Sequence, residues 1–179
     1  MSVLVHRTMS LDGYIAGPNH EMEWMFGHPA PEWGDEIMRA TGAIVTGRGA
    51  YGVNERAQSV VTARPYGGAW SGPVFMATHH DLDLPDWITP VRGDVRDIIA
   101  TAEGAAGGKT VEVFGGNLAA QCFAAGLVDE VVVHIVPVVL GEGIAFSPGA
   151  GHVALELVDT SIRGGTTSLR YRVRRDASS

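Results

Sequence analysis

The sequence predicts an α/β fold: a mostly parallel central sheet flanked by helices, with an antiparallel hairpin at the C-terminal end. Two observations carry this expectation. Short apolar runs of strand length alternate with segments of helical spacing, and glycines punctuate the junctions. Near the end of the chain, two runs at residues 153–158 and 168–173 flank Arg163-Gly164-Gly165, a hairpin signal.

Taken in order, Val3-Leu4-Val5 and the residues up to Met9 read as a first strand that stops at the turn residues Ser10-Leu11-Asp12-Gly13. Residues 31–41 carry a helix that begins at Pro31, where no amide donor is needed, and is ended by Gly42. Ala43 to Thr46 suit a buried strand leading through Gly47-Arg48-Gly49 into a second helix. Residues 62–72 hold Pro65, Gly67, Gly68 and Gly72, too many backbone punctuators for regular structure, and Pro73 to Ala77 form the next strand. Pro85 and Pro90 bracket a short strand at Trp87-Ile88.

Asp94 then caps a helix through Ile98, Ile99, Ala102 and Ala106, closed by Gly107-Gly108. The pattern recurs: strand Val111 to Phe114, turn Gly115-Gly116, and helix Leu118 to Ala125 ended by Gly126. The longest apolar run, Val131 to Leu140, reads as a central strand covered on both faces and interrupted by His134 and Pro137. In the last strand Leu169, Tyr171 and Val173 alternate with Arg170, Arg172 and Arg174, so one face is wet.

A length of 179 residues with 45% hydrophobic residues suits one domain, residues 1–179, which buries roughly 70% of the surface of its unfolded chain. The formal charge of −7 leaves no basic stripe for a nucleic-acid backbone. The lone Cys122 forms no intramolecular disulfide and offers no zinc spacing. With no signal-peptide pattern at the N-terminus and no membrane-length apolar run, a cytoplasmic location with no membrane partner is expected.

Two glycine turns, Thr46-Gly47-Arg48-Gly49 and Phe114-Gly115-Gly116-Asn117, lie between a strand and a helix. Glycine there lets the backbone approach a ligand, and the following helix start favours an anion such as a pyrophosphate. The same glycines equally suit tight turns alone, and the run Gly-Gly-Asn-Leu-Ala-Ala from Gly115 lacks the third glycine of the common dinucleotide fingerprint. Arg48 offers a planar fork to a phosphate, or a solvated helix start.

Adjacent His79 and His80 point to opposite faces of an extended segment, so no metal site is expected. His134 reads as a core histidine with no obvious acid to orient it. No nucleophile elbow or Cys-His pair points to a hydrolase. Acids within reach of a site include Asp12, Asp35, Glu36 and Glu142, each also readable as capping or solvated.

In order, Ser10-Leu11-Asp12-Gly13-Tyr14-Ile15-Ala16-Gly17, Thr46-Gly47-Arg48, Val113-Phe114-Gly115-Gly116-Asn117 and Val136-Pro137-Val138-Val139-Leu140-Gly141-Glu142-Gly143 resemble the dihydrofolate-reductase-like family. The nearest branch is the reductase domain of riboflavin-biosynthesis deaminase-reductases, here as a stand-alone member. The resemblance spans Val3 to about Val173.

It implies NADPH as cofactor, with Ile15 and Ala16 near the nicotinamide, Gly47 and Arg48 at the pyrophosphate and adenosine phosphate, and Thr78 and His79 at the adenosine end. Gly115, Gly116, Asn117, Leu118 and Ala119 would line the pyrophosphate turn, and Glu142 would fall on the nicotinamide side. The implied reaction is hydride transfer to a small pterin- or pyrimidine-like heterocycle, as in dihydrofolate reductase or 5-amino-6-(5-phosphoribosylamino)uracil reductase. Asp12 is the leading proton donor and Asp35 the reserve. Val133 stands where the folate enzymes carry a supporting threonine, which argues against a folate role. The resemblance also implies a homodimer paired through the sheet edge. A binding protein of the same fold without turnover is the alternative, and a reductase of foreign compounds a third.

Overall fold

Eight strands form one sheet in the order β5-β4-β3-β6-β1-β7-β10-β9, in a computed structural model that describes residues 1–28, 32–51 and 64–175. The strands are β1 (Val3–Met9), β3 (Thr41–Gly47), β4 (Val74–Ala77), β5 (Ile88–Val91), β6 (Thr110–Phe114), β7 (Glu130–Ile135), β9 (Leu155–Arg163) and β10 (Thr166–Val173). The first six named are mutually parallel, and β10 pairs antiparallel with both β7 and β9. The predicted mixture of a parallel sheet and an antiparallel C-terminal hairpin is the observed one.

Side-chain alternation gives the sheet two different faces. Val3, Val5, Val45, Val111, Val113, Val131 and Val133 point to one face and form a single cluster with Ile98, Ile99 and Ala102 of α2 (Val95–Ala105) and Leu118 and Cys122 of α3 (Gly116–Ala124). Full burial of each such side chain contributes about 1.5–3 kcal/mol. Leu4 and Val132 point the other way and meet Ile37 of α1 (Gly34–Ala40), while Ile44, Val74 and Met76 meet Tyr66 and Trp70.

Several boundaries differ from the sequence expectation, each for a local reason. Pro31 lies outside the described residues, and α1 starts after Trp33, which holds φ 62°. Gly42 does not end this helix. Thr41 Oγ1 donates to the Ile37 carbonyl at 2.8 Å, and the chain turns directly into β3. Gly42 is instead needed inside β3, where a Cβ would stand 2.1 Å from the Ala106 carbonyl oxygen at the end of α2.

The second expected helix is, in its described part, a 3-10 turn at Arg48–Tyr51, and another such turn occupies Pro65–Gly68 in the stretch read as irregular. The strand at Trp87-Ile88 runs instead from Ile88 to Val91. It contains Pro90, which the outermost strand tolerates because it has one unpaired side.

The apolar run from Val131 ends as a strand at Ile135, since Pro137 carries no amide to continue the ladder. His134 does not interrupt the strand: it pairs in register with Thr8 and Ser168. In the hairpin, β9 starts at Leu155 and not at Val153, and Gly164 and Gly165, at φ 56° and 85°, make the tight connection. A second sheet of β2 (Tyr14–Ala16) and β8 (Ile144–Ala145) had no separate signal in the sequence.

Candidate functional site

Because β1, β3, β4, β6 and β7 run the same way, the loops that follow them gather at one edge of the sheet. Thr46 pairs with Phe114 across β3 and β6, so the turns that open at Gly47 and Gly115 start side by side. Gly47 also pairs with Ala77 of β4, which puts Thr78 at the head of the next strand along. Three of the predicted segments thus lie on three adjacent strands.

Gly115 precedes α3 with φ 97°, and no side chain caps the helix. Ala119 N already donates to the Gly115 carbonyl, so the amides of Gly116, Asn117 and Leu118 have no intrahelical acceptor and carry the positive end of the helix dipole. The side chains of Leu118 and Ala119 are buried in the main core, so these two residues offer only backbone to a ligand. Asn117 is exposed, and Arg48 on the neighbouring turn is half-buried.

The small β2-β8 sheet lies against this turn. A Cβ on Gly116 would stand 2.6 Å from the Ala145 carbonyl oxygen, and one on Gly143 would stand 2.2 Å from that of Ala16. Phe146 N donates to the Gly13 carbonyl at 3.0 Å. These approaches bring Ile15, Ala16 and the exposed Glu142 to the α3 side of the site.

Thr78 is buried, and its hydroxyl accepts from His80 N at 3.1 Å, which spends it on the turn; His79 is exposed. Asp12 receives the Ser10 hydroxyl at 2.6 Å, Leu140 N at 3.1 Å and Gly141 N at 2.7 Å. The Ser10 hydrogen bond, aided by the two amides, holds its carboxyl down at about 2. At neutral pH this group is an ionised acceptor that fastens the loop after β1 to the loop after β7. Asp35 is exposed on the first turn of α1, and among the described contacts none joins it to Asp12.

Two features escaped the sequence reading. Beyond Val5 and Val113 the strands β1 and β6 no longer pair, and the Arg7 guanidinium bridges their divergence. It donates to the Val113 and His6 carbonyls and lies 4.7 Å from the Phe114 ring centre. The second is a buried polar chain on the α1 face. Glu112 Oε1 lies 3.0 Å from His6 Nδ1, His6 Nε2 lies 2.8 Å from His134 Nε2, and His134 Nδ1 lies 2.8 Å from Ser168 Oγ.

At the other end of the chain the Tyr66 hydroxyl donates to Glu112 Oε2 at 2.6 Å, and Thr41 Oγ1 lies 3.1 Å from the same oxygen. His134, read from sequence as lacking an acid, therefore reaches one through His6. Burial raises the Glu112 carboxyl, but the hydrogen bond and charge of His6, with Tyr66 and Arg7, outweigh it and hold the group below its ordinary value. The available signal was Glu112 itself, an acid between Val111 and Val113 in a predicted strand.

The fold and the arrangement of loops define a protein of the dihydrofolate-reductase-like class. A dihydrofolate reductase from Enterococcus faecalis, in complex with NADP(H), superposes with TM-score 0.67 at 14% identity over 97% of each chain. Within that class the chain belongs to the RibD C-terminal domain family, whose model matches residues 1–113 and 94–169.

Two further structures share the fold. A Shewanella sp. PV-4 protein named as a candidate riboflavin biosynthesis protein has TM-score 0.79 and 23% identity, over 98% of this chain and all of that one. Acinetobacter baumannii RibD has TM-score 0.64 and 15% identity over 97% of this chain, which spans 58% of that protein. No sequence among the curated proteins matches this chain.

Proposed function

We propose that this chain is an NADPH-dependent reductase that transfers hydride to a small heterocycle of pterin or pyrimidine type, with riboflavin biosynthesis as its setting. The observation that carries the reading is the start of two glycine turns on the paired strands β3 and β6, with Arg48 on one and the uncapped α3 amides on the other. Membership in the RibD C-terminal domain family and the NADP(H) complex of a like-folded reductase support it.

The donor set fits an anionic dinucleotide. The amides of Gly116, Asn117 and Leu118 would hold the pyrophosphate with Gly47 and Gly115 giving close approach, and Arg48 with Thr78 and His79 would meet the adenosine phosphate. Ile15, Ala16 and Glu142 would border the nicotinamide. When bound, NADPH supplies the hydride. The chain supplies orientation: Gly116 lets β8 close against α3, Gly143 lets the residues before β8 close against Ala16 of β2, and Asp12 fixes the loop that leads into Ile15 and Ala16. With Asp12 ionised, the proton would come from Asp35 or from water.

A titration of NADPH and NADH into wild type and Arg48→Ala tests this. We expect NADPH to bind more tightly, to weaken by about ten- to a hundredfold in the variant, and NADH to change little, the loss of one charge-assisted contact being worth about 1.5–3 kcal/mol. Binding of neither nucleotide would overturn the reading. A second reading is a dinucleotide-binding protein of the same fold without turnover. Steady NADPH oxidation with heterocyclic substrates would exclude it.

The reading also includes a homodimer through β9. This strand has one unpaired edge and exposes Leu155, Leu157, Val158 and Ile162, the last 75% exposed. A cytoplasmic location belongs to the same proposal. Cys122 is free and buried, and no helix among the described residues is long and apolar enough to cross a membrane.

A further inference from the structure

We infer that His6 and His134 form a one-proton switch, in which a single exchangeable proton sets the direction of every hydrogen bond from His6 to Ser168. The inference stands apart from the reductase reading, because it rests on the buried chain alone. Five adjacent strands contribute to that chain: Thr41 from β3, Glu112 from β6, His6 from β1, His134 from β7 and Ser168 from β10.

A nitrogen-to-nitrogen contact of 2.8 Å between two imidazoles holds one proton. Two protons would repel, and none would leave two lone pairs facing each other out of water. The rings cross at 85°, which lets one ring direct its N–H at the other's lone pair. Glu112 fixes the other end. Its buried carboxylate requires a donor, so His6 Nδ1 keeps its proton in both states.

The two states follow from this constraint. With the proton bound, His6 is an imidazolium paired with Glu112. It donates from Nε2 to His134, and His134 donates from Nδ1 to the Ser168 oxygen. On deprotonation the His6 Nε2 hydrogen passes to His134 Nε2, the His134 Nδ1 hydrogen passes to the Ser168 oxygen, and that hydroxyl's own hydrogen leaves to water, so His6 Nε2 becomes an acceptor and the Ser168 hydroxyl donates to His134 Nδ1. No heavy atom moves, yet His134 changes tautomer and Ser168 changes from acceptor to donor.

Both ring nitrogens of His6 are engaged within the chain, and its side chain is 12% exposed. Burial, then the charge of His6, pushes His134 down to about 3, which keeps the charge on His6. Among the described residues, the other ionisable or charged groups on this side are Tyr66, which donates to Glu112, Arg7, which favours the carboxylate, and Arg170 on β10 with its partner Glu36 on α1.

The test is a nitrogen NMR titration of the full-length chain labelled at histidine, across roughly pH 5 to 8 where imidazoles titrate. Coupling between the two Nε2 atoms through their hydrogen bond identifies the pair among the seven histidines. The expected result is one common midpoint, at which His6 loses its charge and His134 passes from Nδ1–H to Nε2–H. A His134 tautomer that stays fixed throughout, or two separate midpoints, would overturn the switch.

Glu112→Gln gives a second measurement. Loss of the counter-charge should lower the midpoint by about one unit or more, a tenfold weaker hold on the proton. An unchanged midpoint would overturn the role of Glu112. If this variant fails to fold, the wild-type titration decides alone.

Discussion

Asp12 Oδ2 accepts a hydrogen bond from Gly141 N at 2.7 Å, across 129 positions of sequence, and so ties the loop after β1 to the loop after β7. Two more donors, the Ser10 hydroxyl and Leu140 N, complete the clamp. The carboxylate read from sequence as the leading proton donor accepts three hydrogen bonds in this structure, and the loop it holds leads directly into Ile15 and Ala16.

Loss of this carboxylate should loosen both loops without unfolding the sheet. In Asp12→Asn, amide hydrogen exchange at Leu140 and Gly141 is expected to quicken by about tenfold or more, with little change in the strands. The pH dependence has a definite sign. The folded carboxyl is depressed to about 2 from 3.8, so the clamp is complete above about pH 4 and is lost as pH falls through about 2. Protection of the two amides that failed near neutral pH would show that something else holds them.

The glycines divide into two classes that substitution will separate. Gly143→Ala would drive a Cβ to 2.2 Å from the Ala16 carbonyl oxygen, and Gly42→Ala to 2.1 Å from that of Ala106. Both contacts are to backbone, so each variant is expected to lose about 2 kcal/mol or more. Gly104, exposed in α2 with nothing within 4 Å, should behave oppositely. Gly104→Ala is expected to gain about 0.5–1 kcal/mol from helix propensity. Urea unfolding of the three variants checks the contrast.

Stability should fall on mild acidification. His134 is held neutral in the folded chain, at about 3, whereas an unfolded histidine takes up a proton near 6.5. Between these values the unfolded state binds the extra proton, so stability decreases as pH drops, by up to about 1.4 kcal/mol per pH unit. Denaturation at pH 7, 6 and 5 measures the slope, and His134→Gln should flatten it. An equal slope in the variant would assign the effect to other groups.

Tyr66 supplies one of the hydrogen bonds on which buried Glu112 depends. Burial, with the neighbouring Glu112 charge, pushes its phenol well above the ordinary range, so it remains a donor at every accessible pH. Tyr66→Phe leaves the ring packed beside Trp70 but removes a charge-assisted donor, with an expected cost of about 1.5–3 kcal/mol. A loss below a few tenths would mean that Thr41 Oγ1, 3.1 Å away, takes over the oxygen.

Local sequence decided much of this molecule. Asp94 caps α2 through Arg96 N as its position suggested, Gly126 follows α3, and the paired glycines make the terminal hairpin. These features depend on a few contiguous residues and their backbone preferences, so they are legible one segment at a time. The two glycine turns were legible for the same reason.

Tertiary structure alone decided what those segments meet. Parallel pairing set the Gly47 and Gly115 turns side by side, and the return of residues 144–145 made Gly116 and Gly143 points of close approach. Asp12 became an acceptor because two amides from residues 140 and 141 converge on it. The link from Glu112 through His6 to His134 joins three strands at positions 112, 6 and 134. A sequence shows which polar groups sit in apolar strands, but a buried charge is stable only beside its partners, and which partners those are depends on strand order and register.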